Sequence, residues 1–435
     1  MFVSVQKRWT EMERIMIFAK KFNIFFYIGL FIILFQPPLL PFNSIHIVGA
    51  ISIVYIFLNS TNEVGRIRIS KTIRSLYFIF SIISVYIFVF SILINKGSMN
   101  NLSFPIYFMI DVIPFSWAIK LYSCKHKLNQ SDLFNMFITV GLLQAITAIV
   151  SFFVPQVQKI FIDSLLSYGY SSSLDVFSGF RIYGFSPFLT FGTPVIQSVL
   201  TALILFCKEN KKMLDYFASF ILFFSAIINA RISIIILLLG FFSFLLSQKV
   251  SIKKKIFQIF LYVMVLGFVI TVGSFLLRHY SLSTYEWILD GLKEIELIFN
   301  NDNANKYSYI TYFTSKNTYK LPGDIIGILF GKGLYVMTGA NNYSFNSDVG
   351  YINDIWFGGI CYIILVYYAF YKMIIKILKS ENVNYSRLGS LLLLLFPILN
   401  IKGIVFTMFS LTNFLMIIYV YINGKNMIYT GKKGE

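Results

Sequence analysis

Twelve apolar stretches punctuate the chain, at about residues 23–40, 45–59, 75–95, 104–122, 133–154, 187–207, 214–229, 232–247, 256–277, 352–375, 388–401 and 403–422. A helix needs roughly 20 apolar residues to cross the ~30 Å hydrocarbon layer of a bilayer, and most of these stretches reach or approach that length. The pattern therefore predicts an all-α polytopic membrane protein with about twelve transmembrane helices, two pairs of which (214–247 and 388–422) are tight hairpins. One segment breaks the rhythm. From Arg278 to Gly350 the chain turns polar, rich in Tyr, Asn and Gly, between two strongly apolar runs. Loops of this length in a compact domain are functional or disordered, and the aromatic and glycine content argues for a folded, working loop. Within it, Trp287, Ile288, Leu292, Ile295 and Phe299 share one side of a helix while Glu286, Asp290, Lys293 and Glu294 lie elsewhere, which predicts a helix resting on the membrane surface. A second, shorter polar segment spans 155–186.

Composition agrees with the pattern. Of 435 residues, 57% are hydrophobic, 18% aromatic and only 13% charged, about half the charged share of a soluble domain. The chain is read as a single membrane domain, 1–435. Its net charge of +18 does not point to nucleic acid, because the cations are sorted by loop. With the N-terminus inside, 26 of the 37 Lys and Arg residues fall on inner segments, and six of the remaining 11 lie in the 278–350 loop. The short outer loops are nearly bare, as the positive-inside rule requires. Both termini are thus expected in the cytoplasm, with 155–186 and 278–350 facing out. The basic N-terminus and the apolar run after it lack a small-residue cleavage signature, so that run reads as a retained helix. Cys124, Cys207 and Cys361 lie at or inside helix ends and imply no disulfide framework.

The candidate chemistry is made of arginines, carboxylates and aromatics. Arg181 stands in FRIYGFSPFLTFGTP, where Gly184, Pro187, Gly192 and Pro194 follow as a helix begins. Glycines permit close backbone approach, and a guanidinium beside a helix N-terminus suits an anion; the alternative is an interfacial anchor. Arg231 sits on the short connection between the seventh and eighth runs, where charge near hydrocarbon is expensive and usually partnered; the alternative is a snorkelling helix cap. Arg278 opens the long loop as an anion contact or an anchor, and His279 beside it is a general base or a surface residue. His46 and His126 offer no such use. Late in the loop, LFGKGLYVMTGANNYSFNSDVGYINDIWFGGI is made tight and pliable by Gly331, Gly333, Gly339 and Gly350, the first two as candidates for contact with a diphosphate or glycan, with Asp348 and Asp354 at the mouth of the tenth run. Asp348 there reads equally as a base for a sugar hydroxyl and as a helix N-cap. Asp111, inside the fourth run, is a costly intramembrane acid expected to pair with one of the arginines. There is no outward His or Cys cluster, no Asp-x-Asp pair and no GxxxxGK[ST] loop, so neither a metal, nor ATP, nor any other cofactor is expected. Such an inventory suits a lipid diphosphate gripped by bidentate guanidinium contacts, with sugars stacked on Tyr and Trp.

On three features the chain resembles the O-antigen polymerases (Wzy) of the O-antigen ligase and polymerase group. These are the dozen helices with a large late loop, Arg181 with its glycines in RIYGFSPFLTFG, and LFGKGLY…SDVGYINDIWFGGI, which is similar to the family's GxG…SDxGY segment. The resemblance implies a metal-independent glycosyltransferase of C-class (GT-C-like) architecture in the bacterial inner membrane. It implies transfer of the growing polysaccharide from undecaprenyl diphosphate onto the next lipid-linked repeat unit at the periplasmic face, with a flippase and a chain-length regulator as partners. Arg181 matches the family's arginine motif; Arg278 matches less well, since no glycine follows it at the same spacing, and Arg231 matches the family's helix-start arginine only loosely. Two other readings stand beside this one. A ligase to lipid A core is expected to carry a histidine near the GxG segment, where this chain has Asn346, Ser347 and Asp348. A lipid-linked oligosaccharide flippase is expected to show a central polar path and an internal repeat.

Overall fold

The computed structural model describes residues 23–37, 44–60, 69–167, 184–187, 191–208, 211–246, 252–280, 282–286, 288–290, 316–336, 347–406 and 409–423. Among the described residues every regular element is helical, and each of the twelve apolar stretches forms a helix. In chain order these are α1 (Ile24–Phe35), α2 (Ser44–Ser60), α3 (Lys71–Ile94), α4 (Met99–Lys125), α5 (Gln130–Phe153), a short α6 (Pro155–Ser167), α7 (Gly192–Cys207), α8 (Met213–Asn229), α9 (Ile232–Leu246), α10 (Ile252–Tyr280), a one-turn α11 (Ile325–Phe330), α12 (Gly350–Leu378), α13 (Val383–Lys402) and α14 (Phe409–Asn423). α3, α4, α5, α12 and α13 are long and apolar enough to cross a membrane, and α1, α2, α7, α8, α9 and α14 are shorter apolar helices. α10 has 29 residues, about 43 Å at 1.5 Å per residue. Helices are what such a sequence must form, because hydrocarbon offers backbone N–H and C=O groups no other partner. The chain is a helical membrane protein.

Polar residues mark where helices begin. Asn129 and Asp132 form a capping box at the start of α5, the Asn129 amide donating to Asp132 Oδ2 at 2.8 Å. The Ser70 hydroxyl accepts from the Ile73 amide at α3, and Asn382 accepts from Asn384 and Tyr385 at α13. One hydrophobic core runs from α1 to α14. At its centre Phe80 stacks on Phe108 at 4.9 Å, with Phe104 and Phe370 edge-on to that pair. Wider π turns end α3 at Ile87–Ile94 and α7 at Leu203–Cys207 and interrupt α4 at Phe108–Val112.

Two features depart from the pattern-based expectation. The polar segment 155–186 begins with a helix, α6, started by Pro155, whose missing N–H costs nothing in a first turn. Asp111, in the π turn of α4, pairs with His46 and not with an arginine: His46 Nδ1 lies 2.8 Å from Asp111 Oδ2. The reason is steric. His46 and Gly49 are three residues apart on one face of α2, and a Cβ at Gly49 would collide with Asp111 Oδ1. Only a residue without a side chain lets α2 approach closely enough for the histidine to reach the buried acid. Of the surface helix expected around 286–299, residues 282–286 and 288–290 are helical. Ile288 and Tyr285 pack with Leu277 and Ile228, and Trp287, Leu292, Ile295 and Phe299 lie outside the described residues.

Candidate functional site

The late loop is built onto α12 through a break in that helix. Gly359 has φ 72° and ψ −175°, so the helix stops and restarts there. The break frees carbonyl groups, and the GxG segment takes them: the Lys332 amide donates to the Trp356 carbonyl at 2.7 Å and the Gly333 amide to the Phe357 carbonyl at 3.0 Å. Both loop glycines hold positive φ, 79° at Gly331 and 71° at Gly333. A Cβ on Gly331 would lie 2.5 Å from the Phe357 carbonyl oxygen, and one on Gly359 would collide with the Leu329 carbonyl. Side chains from α3, from Asn95 just past its end and from α4 complete the joint. Tyr86 donates to the Gly358 carbonyl at 2.6 Å, Asn95 to that of Gly331 at 3.2 Å and Asn101 to that of Gly333 at 2.9 Å. Phe330 stacks on Phe90 at 4.5 Å and Tyr335 on Phe357 at 4.3 Å. Gly331 and Gly333 therefore pack backbone against backbone.

Just before the joint, α11 is fixed by Asp324. Its Oδ2 accepts from the Gly327 amide at 3.0 Å and its Oδ1 meets Lys332 Nζ at 2.7 Å. The Lys332 hydrogen bond, then that of Gly327, hold this carboxyl below the usual carboxylate range. A carboxyl lowered on folding stabilises above its unfolded pKa of about 3.9 and loses that contribution as pH falls through the folded value. Amide exchange at Gly327, corrected for intrinsic rates, is expected to be slow near neutral pH and to quicken below about pH 4. Protection that persists under acid would contradict this role for Asp324.

Asp348 is presented by a second frame. The Ser347 amide donates to the Val336 carbonyl at 2.7 Å and its hydroxyl to the Thr318 carbonyl at 2.8 Å. Asn353 accepts from the Val336 amide at 2.9 Å and donates to the carbonyls of Ser347 and Val349 at 2.7 and 3.0 Å. Trp356 Nε1 donates to the Lys320 carbonyl at 2.8 Å. α12 itself begins at Gly350, with Val349 at its cap position making no side-chain cap bond. Asp348 is half-buried between two pinned neighbours, Ser347 and Val349.

Beneath this frame lies a buried acid. Asp354 accepts from Tyr367 at 2.5 Å and from Asn400 Nδ2 at 3.2 Å, both at Oδ2, while Asn400 also bonds the Tyr367 hydroxyl. Asp354 Oδ1 meets no partner among the described residues. Gly350 packs directly on Asn400 and Gly403, and the Phe191 ring at the mouth of α7 lies about 3.1 Å from where a Gly403 Cβ would be. The α12 start, the α13 end and the α7 start thus share one end of the bundle, the end that carries the late loop.

The remaining described candidates lie around that same end. Gly184 rests on Gln144 of α5, whose Oε1 accepts from the Phe185 amide at 3.2 Å. Gly192 opens α7 and is buried. Arg231 is half-buried on the connection Ala230–Arg231 between α8 and α9. Leu277, next to Arg278, packs in one apolar cluster with Ile228 of α8 and Ala148 of α5, so Arg278 and Arg231 leave the bundle at the same end. Arg278 and His279 are exposed, and the His279 ring meets Tyr280 edge-on at 4.9 Å. Arg181 lies outside the described residues. Sequence reading passed over Asn353, Tyr367 and Asn400; the signal for Asn400 is one amide side chain within the apolar stretch 388–401. Among the described residues no three His, Cys, Asp or Glu side chains gather as a metal site would need. No family model matches this chain, and none of the curated proteins matches it in sequence.

Proposed function

We propose that this protein is an O-antigen polymerase of the bacterial inner membrane. In this reading twelve helices cross the bilayer in a GT-C-like arrangement, both termini are cytoplasmic, and the loop-bearing end faces the periplasm. The growing polysaccharide passes from undecaprenyl diphosphate onto the next lipid-linked repeat unit. The observation that carries the proposal is the double frame at the loop end, in which residues 316–336 of the late loop hold the segment around one half-buried carboxylate, Asp348, at the start of α12. A carboxylate whose two chain neighbours, Ser347 and Val349, are both pinned by hydrogen bonds is preorganised to receive a proton, which is what activation of a sugar hydroxyl requires.

In the reaction the acceptor oxygen forms a bond to the anomeric carbon of the donor chain as the bond from that carbon to the phosphate oxygen breaks. The diphosphate leaves with the bonding electrons, and the acceptor proton passes to Asp348. His279, exposed at the end of α10, is the other base at this end. Arg181, Arg231 and Arg278 neutralise the charge that grows on the leaving group, by planar forked contacts that lysine cannot copy. Gly184 and Gly192 let the chain after Arg181 lie close to the diphosphate. A flippase supplies the lipid-linked units, and a chain-length regulator sets how many are joined.

Asp348→Asn is expected to lower turnover about a hundredfold or more, the ordinary share of a positioned base, with normal amounts of protein in the membrane. Unchanged turnover would leave Asp348 no role in proton transfer. The gene deletion tests the function itself. Lipopolysaccharide carrying a single repeat unit is expected, whereas lipopolysaccharide with no repeat unit would point to a ligase or a flippase.

A further inference from the structure

Buried amide and hydroxyl groups collect in one layer of the bundle, and three close contacts fix which residues share it. A Cβ on Gly141 of α5 would meet Leu200 of α7 and, at 3.2 Å, Leu222 of α8, so these three positions are level. One turn nearer the loop end on each helix come Gln144, Gln197 and Ser225, and the Ser225 hydroxyl donates to Gln197 Oε1 at 3.3 Å. On the fourth helix, α9, Gly240 packs on Ala202 and Phe206 of α7. α7 and α9 run the same way, so Ser233, seven residues before Gly240, is level with Gln197. Gln144, Gln197, Ser225 and Ser233 are each at most 1% exposed.

Three atoms of this layer have no hydrogen-bond partner among the described residues: Gln144 Nε2, Gln197 Nε2 and Ser233 Oγ. An isolated polar group inside a membrane protein is costly, and leucine or alanine would fill the same space without that cost. Three such groups on three helices at one depth are not explained by packing. Toward the cytoplasmic ends of these helices the layer is closed by Leu200, Leu222 and Phe206, all buried. Toward the loop end Gly184 and Phe185 lie against Gln144, and Arg231 stands two residues before Ser233.

We infer that this layer binds the hydroxyl groups of a sugar, the glycosyl unit of the lipid diphosphate bound at the loop end of the bundle. Carboxamides and hydroxyls both donate and accept, which is what a polyhydroxylated ring demands of a dry site. The inference rests on the polymerase reading for its ligand and adds to it the residues that hold the glycan.

The test uses the full-length protein in detergent and two probes. One is the lipid-linked repeat unit extracted from the deletion strain; the other is undecaprenyl diphosphate without sugar. Gln197→Met, close to isosteric and apolar, is expected to melt no lower than wild type, to bind the sugar-bearing lipid at least tenfold more weakly and to bind the bare diphosphate unchanged. Ser233→Ala is expected to show the same selectivity and serves if Gln197→Met fails to fold. Equal loss for both probes, or no loss for either, would overturn the glycan site. Elongation of repeat units by the wild type, with sugar binding intact in both variants, would remove this inference and leave the polymerase standing. Sugar-selective binding lost in the variants, with no elongation by the wild type, would keep the site and remove the polymerase.

Discussion

Cells in which Arg181 is replaced by alanine are expected to lose long-chain product while the protein still inserts in normal amount. The argument is electrostatic. As the bond to the donor sugar breaks, charge accumulates on a diphosphate in a site poorly served by water, and no metal is expected to share it. Removing one preorganised donor from such a site costs about 100- to 1,000-fold in rate. At that level a ladder of many repeat units collapses to one. Arg181→Lys is expected to restore little, because an ammonium keeps the charge but loses the planar fork that grips two oxygens at once. A lysine variant with wild-type chain length would show that only charge is needed. An alanine variant with wild-type chain length would remove Arg181 from the site.

The second large effect is on folding. Gly331→Ala places a Cβ where φ is 79° and where the Phe357 carbonyl and Gly358 already lie 2.5–2.6 Å away. With ψ at 178° as well, the backbone lies in a region essentially reserved for glycine, which costs an ordinary residue about 1–3 kcal/mol, and forcing atoms into a packed joint costs about 1–3 kcal/mol more. The joint between the late loop and α12 is expected to open, with a lower melting temperature in detergent and fast proteolysis around 316–336. Gly323→Ala is the control, since nothing lies within 4 Å of the added carbon. Equal melting of the two variants would mean that the GxG segment does not hold the loop.

Much of this architecture is legible in the order of residues, because hydrocarbon leaves the backbone one solution. Each apolar stretch is a helix, and Asn129, Asp132 and Asn382 announce helix starts as capping chemistry says they should. What local pattern conveys poorly is contact between distant segments. The His46–Asp111 pair joins positions 65 residues apart and depends on the missing side chain of Gly49. The break at Gly359 is hidden inside an uninterrupted apolar run, since nothing in the pattern distinguishes it from the neighbouring Gly358. For the same reason nothing in the local pattern tells that Gly331 and Gly333 pack against that break. Asp354 was visible as an acid at a helix mouth, but its partners Tyr367 and Asn400 come from 13 and 46 residues away. The layer at Gln144, Gln197 and Ser233 needs the register of four helices, which only the packing around Gly141 and Gly240 supplies.

Every chemical role assigned above depends on the protein itself joining sugars. Purified protein in detergent, given lipid-linked repeat units, chelator and no nucleotide, measures that directly when the products are separated by length. A ladder of units on undecaprenyl diphosphate, lost in Asp348→Asn, is the predicted result. Repeat units recovered at their starting length, with a protein that remains folded throughout, would contradict it.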